Sequence, residues 1–173
     1  SGASGRNGGF ASTWWLKLPT LIEKYGEEEG LRLARTCGEA IDAISNLCEE
    51  HGIDADVRTE GILVTATAPA QVDRWRDAVD MVRARGFDVF TEMTPQEIAS
   101  RSGSPVHLAG ILDRNGARIQ PALLARGMRR VALQKGVRIY EHTPATEILR
   151  GRPPVVRTPL GAIVADKVVL ATN

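Results

Sequence analysis

The chain has 173 residues, 43% hydrophobic and 25% charged, which is enough for one domain or parts of two and ordinary for a globular fold. A net charge of +1 excludes strong steering toward nucleic acid or an anionic membrane, and no run of about 20 apolar residues is present to span a bilayer. The cations are 18 Arg and 4 Lys, scattered along helical segments, and read as solvated faces.

Residues 1–9, SGASGRNGG, form a Gly-rich loop with many free backbone N–H groups. Phe10 to Tyr25 is mostly apolar, and Pro19 predicts two short helices or a kink there. A long helix is predicted from Glu27 to about His51-Gly52. Ala34, Cys37, Ile41, Ile44 and Cys48 form its apolar stripe, Glu27 to Glu29 suit its first turn, and Gly52 suits its stop. Residues 57–59 and 62–67 read as strands around Glu60-Gly61. A helix opens at Pro69 and runs to Arg85, with Val72, Trp75, Val79 and Val82 as its buried stripe. Residues 89–92 read as a strand, and Thr94-Pro95-Gln96-Glu97 is a capping box that starts a short helix.

Residues 107–112 and 118–120 read as a hairpin about Asn115-Gly116. A helix follows from Pro121 to Lys135, with Leu123, Leu124, Met128, Val131 and Leu133 on its apolar side. Residues 137–140 read as a strand, and 146–149, 155–157 and 163–165 as a small meander. The run 168–171 (VVLA) reads as a buried parallel strand. The fold class is therefore mixed α/β with at least one parallel element.

Few residues suggest chemistry on their own. In the opening loop the glycines let backbone N–H groups approach a ligand, as phosphate-binding nests do, with Arg6 adding charge and Ser4 and Asn7 offering donors. The same loop also reads as a plain turn. Cys37 and Cys48 lie about three helical turns apart, too far for a disulfide if one helix holds both, and so read as small core residues in a reducing compartment. His51, His107 and His142 are too dispersed for a metal site. Glu60, Asp113 and His107 are pocket candidates by location, with a surface or turn role favoured for each. His142 reads as a loop residue, Arg129-Arg130 as a solvated face, and Trp14 and Trp15 as core residues rather than ligand contacts.

Three blocks carry a family resemblance. Gly2 to Gly9 (GASGRNGG) resembles the second flavin-contacting loop of the D-amino-acid oxidase-like family, in the version of its γ-glutamylputrescine oxidase-like branch. Ile119-Gln120-Pro121-Ala122-Leu123-Leu124, with Gly127, Ala132, Gly136-Val137 and Ile139-Tyr140-Glu141, is similar to the family's strand–helix–strand segment, which continues into Thr143-Pro144-Ala145-Thr146. Ala165 to Asn173 (ADKVVLATN) is similar to its strand near the ADP half of the cofactor.

The resemblance implies an internal piece of an FAD-dependent oxidoreductase that oxidises the C–N bond of a small amine or amino-acid substrate by hydride transfer to the flavin. It implies that Ala3, Ser4, Gly5, Arg6, Asn7, Gly8 and Gly9 contact the cofactor, joined by Ala145 (usually Val in relatives), Ala171 and Thr172. It also implies a partial FAD-binding Rossmann-like domain, residues 1–52 and 121–173, interleaved with part of a mixed-sheet substrate domain, residues 53–120. No G-x-G-x-x-G turn occurs, and in relatives it precedes the position of Ser1. Both ends read as cut, so the isolated chain is expected to be inactive, cytoplasmic in origin, and prone to self-associate or swap through its last strand. The competing reading is a small non-enzymatic α/β module whose Gly-rich loop binds a phosphate-containing ligand or a partner protein.

Overall fold

The computed structural model describes residues 2–172. It comprises two compact units, Ser1–Met128 and Arg129–Asn173.

The first unit opens with a 3-10 turn, Ala3–Gly5, then a short strand β1 (Phe10–Ala11). A 3-10 turn at Trp15–Lys17 runs directly into α1 (Leu18–Tyr25). Pro19 lies in the first turn of α1, where no intrahelical N–H is required of it, so it starts the helix rather than kinking one. Gly26, at φ +81°, turns the chain into α2 (Glu27–Glu50). The two helices cross closely at Gly30, where a Cβ would lie 2.9 Å from the Ile22 nitrogen.

Next come β2 (Ile62–Ala66), α3 (Arg76–Ala84), β3 (Phe90–Met93), α4 (Pro95–Ser102), β4 (Ala109–Asp113) and β5 (Ala117–Arg118). Strands β2, β4 and β3 form an antiparallel sheet with β4 central. The core lies between this sheet and the helices: Trp15, Leu18, Leu21, Ala34, Val79, Val82, Phe90 and Ile111 are all buried. Full burial of each large aliphatic side chain contributes about 1.5–3 kcal/mol. The capping box before α4 is formed, with the Thr94 N–H donating to Glu97 at 2.8 Å and the Glu97 N–H donating to the Thr94 hydroxyl at 3.3 Å.

Helix α5 (Pro121–Gln134) crosses the division between units. In the second unit β6 (Glu147–Leu149), β7 (Val155–Thr158) and β8 (Gly161–Val164) form an antiparallel meander. Charge is unevenly divided: residues 129–173 hold eight Lys or Arg against three Asp or Glu, and residues 1–128 hold fourteen against eighteen.

Several expectations are corrected. Residues 137–140 and 168–171 form no strand, and Val169 (86%) and Leu170 (71%) are exposed. An apolar run becomes a strand only when another strand completes its ladder, and neither run has one among the described residues. Every strand pair described is antiparallel. Residues 57–59 form a single bridge, Arg58 to Arg118, not a strand. The helix expected from Pro69 is a 3-10 turn at Pro69–Gln71 followed by α3 from Arg76. The expected hairpin is split between sheets, because β4 pairs with β2 and β3 while β5 pairs with β1. On α5, Val131 is buried but Leu123, Met128 and Leu133 are exposed.

Candidate cofactor site

The Gly-rich loop holds itself in shape through Asn7. The Asn7 amide donates to the carbonyls of Ala3 and Ser4, both at 3.2 Å, and its Oδ1 accepts the Gly9 N–H at 2.9 Å. The N–H groups of Gly5 and Arg6 bond back to Gly2 and Ala3 at 3.1 Å. Asn7 is therefore the brace of the loop, with its side chain spent internally. The main-chain N–H groups of Ala3, Ser4, Asn7 and Gly8 have no acceptor among the described residues. Arg6 is the one charged side chain of residues 2–9, and it is exposed. Unclaimed N–H donors beside one cation and no carboxylate suit a phosphate group.

The far end of the loop is fixed by the second sequence block. The Ile119 N–H donates to the Gly9 carbonyl at 2.8 Å, and Phe10 and Ala11 pair with Arg118 and Ala117. Gly9 is buried at φ +74°, and a Cβ there would run into the Ile119 carbonyl oxygen. Gly5 packs on Ala122 in the first turn of α5, whose N–H groups are capped by the Gln120 side chain (2.8 Å to Ala122). Two blocks more than 100 residues apart thus meet, and the loop lies at the positive end of a helix. Behind β5, Asp56 pairs with Arg58 at 2.7 Å and Arg118 at 3.4 Å. Its carboxyl is held below the usual range, chiefly by the Arg58 hydrogen bond.

Ala145, Ala171 and Thr172 belong to the second unit and are exposed there, on segments without regular structure.

The other candidates separate clearly. Glu60 is exposed. His107 is half-buried, and its Nδ1 is enclosed without a hydrogen-bond partner. His142 is an exposed loop residue at φ +53°. Arg129 pairs with Glu141 at 2.9 Å on the surface. Trp15 is buried and stacks on Phe87, with ring centroids 4.6 Å apart. Trp14, expected in the core, is 39% exposed, with the Lys17 ammonium 5.4 Å from its ring centroid. No group of His, Cys, Asp and Glu among the described residues could hold a metal ion. Both cysteines are free thiols.

Asp113, expected in a surface or turn role, holds the turn at Asn115-Gly116 but is buried rather than at the surface. Its Oδ2 accepts the Thr13 hydroxyl at 2.6 Å and its Oδ1 accepts the Asn115 N–H at 3.2 Å. Thr13 is missed by sequence reasoning, because one Thr in an apolar stretch carries no periodic or motif signal. Cys37, expected in the core stripe, is only half-buried and donates to the Ser12 carbonyl at 3.6 Å. Burial pushes its thiol pKa up, against smaller opposing effects of Lys17 and the Trp14 backbone.

Residues 1–173 match the protein family described as DAO, FAD dependent oxidoreductase. The chain belongs to this family. Family membership makes the cofactor FAD, and the loop's unclaimed donors fit its pyrophosphate. Among curated proteins the chain is similar to gamma-glutamylputrescine oxidoreductase of Escherichia coli, 30% identical over 179 residues. It is also similar to the probable oxidoreductase OrdL of Haemophilus influenzae, 26% identical over 178 residues. Each match covers 99% of this chain and 40% of the relative, so the chain spans about two-fifths of their length. Among solved structures the fold is that of glycine oxidase from Geobacillus kaustophilus (TM-score 0.74, 20% identity, 99% of this chain and 45% of that one). L-amino acid deaminase from Proteus vulgaris shares it (TM-score 0.72, 20% identity, 98% and 38%).

Proposed function

We propose that this chain is the middle portion of an FAD-dependent enzyme that oxidises the C–N bond of a small amine or amino acid. The observation that carries the reading is the cradle of N–H groups at Ala3, Ser4, Asn7 and Gly8 that have no acceptor among the described residues, seated on the start of α5 in a chain of this family. Amine and amino-acid substrates are supported by the names of its relatives: gamma-glutamylputrescine oxidoreductase in sequence, glycine oxidase in fold.

Bound FAD supplies the hydride-accepting chemistry. The chain's own residues bind and orient. The loop N–H groups would hold the pyrophosphate and Arg6 would offset its charge, while Asn7 keeps the loop in shape. Following the family pattern, the Ala145 main chain, Ala171 and Thr172 would also take part in holding the cofactor. No residue here is assigned as a general base. Residues 1–52 and 121–173 serve the FAD domain and residues 53–120 the substrate domain. Free thiols fit a reducing, cytoplasmic setting, and no helix among the described residues is long and apolar enough to cross a membrane.

A visible spectrum after gel filtration with added FAD tests the reading, with intact mass taken on the same sample. The 173-residue chain alone should retain no flavin bands (about 370 and 450 nm), while a longer protein containing it should retain both. Bands held by the 173-residue chain would overturn its incompleteness. A longer protein without them would overturn FAD binding.

A further inference from the structure

Resting on that reading, we infer that Asp113, acting through Thr13, is a positioning residue for the cofactor loop. The two side chains are 100 residues apart in sequence, 5% and 7% exposed, and joined at 2.6 Å. Thr13 lies four residues past Gly9, on the strap between the loop and the core residue Trp15. One Asp113 oxygen therefore pins the strap to the end of β4, the central strand of the sheet.

The rest of Asp113 fixes the other side of the loop. Its second oxygen accepts the Asn115 N–H and its carbonyl accepts the Gly116 N–H at 3.3 Å, which sets the turn into β5. Strand β5 pairs with β1, and Ile119 just beyond it holds the Gly9 carbonyl. A single residue thus sets both strands that bound the loop. The carboxylate itself never reaches the loop, so its influence passes only through backbone placement. Buried in this way, the carboxylate is costly to leave without its donor, so Thr13 cannot be replaced silently. The Cys37 contact to Ser12 supports the same strap from α2.

Thr13→Val and Asp113→Ala test this by amide hydrogen exchange on the 173-residue chain and FAD titration of the longer flavoprotein. The Gly9 and Ile119 amides should exchange at least about tenfold faster in both variants, and FAD Kd should rise by a similar factor. Asp113→Asn should rescue most of the loss, because a Thr hydroxyl can accept from the amide as well as donate. Val82→Ala, a core cavity that leaves the Thr13–Asp113 pair itself intact, should accelerate exchange broadly without singling out these two amides. Unchanged exchange at Gly9 and Ile119, or acceleration spread evenly as in Val82→Ala, overturns the inference. Selective acceleration in a protein that never binds FAD would instead sustain the positioning role and overturn the proposed function.

Discussion

Gly9 and Gly8 stand side by side in the cofactor loop but differ in what a methyl group would meet. At Gly9 a Cβ collides with the Ile119 carbonyl in a left-handed backbone, whereas at Gly8 it meets only the Phe10 ring at 3.2 Å. Gly9→Ala should destabilise the first unit by about 1–3 kcal/mol and abolish flavin retention by a longer protein that contains this chain, while Gly8→Ala should keep the fold. Denaturant melts of the two variants make the comparison. Glu97 offers a titration test. Its pKa is lowered first by the Thr94 N–H and then by the Thr94 hydroxyl. A depressed carboxyl stabilises the fold above its unfolded pKa, and that contribution fades as pH falls through the lower folded value. Glu97→Gln should therefore flatten stability against pH below about pH 4.5, measured by Tm from pH 6 to 3. At this scale the sequence showed what local rules govern. The Thr94–Glu97 box was legible because three residues define it. Asn7 was legible as a loop residue but not as its brace, and the Thr13–Asp113 bond was not legible at all, since it joins residues 100 apart.

The same division holds among elements. Helix α2 is legible because 24 residues repeat one apolar stripe, and its bounds agree with expectation to within a residue or two. The runs 137–140 and 168–171 fail because a strand depends on partners that lie elsewhere. The split of the expected hairpin between two sheets has the same cause: Asn115-Gly116 specifies a reversal, not which strands pair after it. The crossing of α1 and α2 supplies an element-scale test at Gly30. Gly to Ala inside a helix normally gains about 1 kcal/mol in propensity. Here the new methyl would press within 3.1 Å of the Ile22 N, Cα and Cγ1 atoms, forcing the helices apart. Overpacking of this kind costs about 1–3 kcal/mol, so Gly30→Ala should lower stability rather than raise it. Chemical denaturation monitored by helix signal decides the sign.

For the whole molecule, the exposed side chains of Ile163, Val164, Val169 and Leu170, with meander edges that have no partner among the described residues, lead to the prediction that the 173-residue chain associates with its own copies. The net charge of +1 conceals a first unit with excess acid and a second unit with excess base. Contacts between second units oppose like charges, so salt should strengthen association made through them. Light scattering should give a mass above the monomer that increases with added salt. A clean monomer with a cooperative melt at all salt concentrations would contradict this. Family and cofactor were legible from three motif blocks, because each is a local string. The pairing of the first two in space needed the structure.

The closure of the loop by Ile119 also sets an order of events during synthesis. The Gly-rich segment emerges first of all the elements described here, yet its closing hydrogen bond waits for a residue 110 positions after Gly9. At about 5–20 residues per second that is a delay of roughly 5–20 s. In that interval the nascent loop has its sequence without its closed shape, so, on the proposed function, cofactor capture belongs to the late phase of translation or to the released protein.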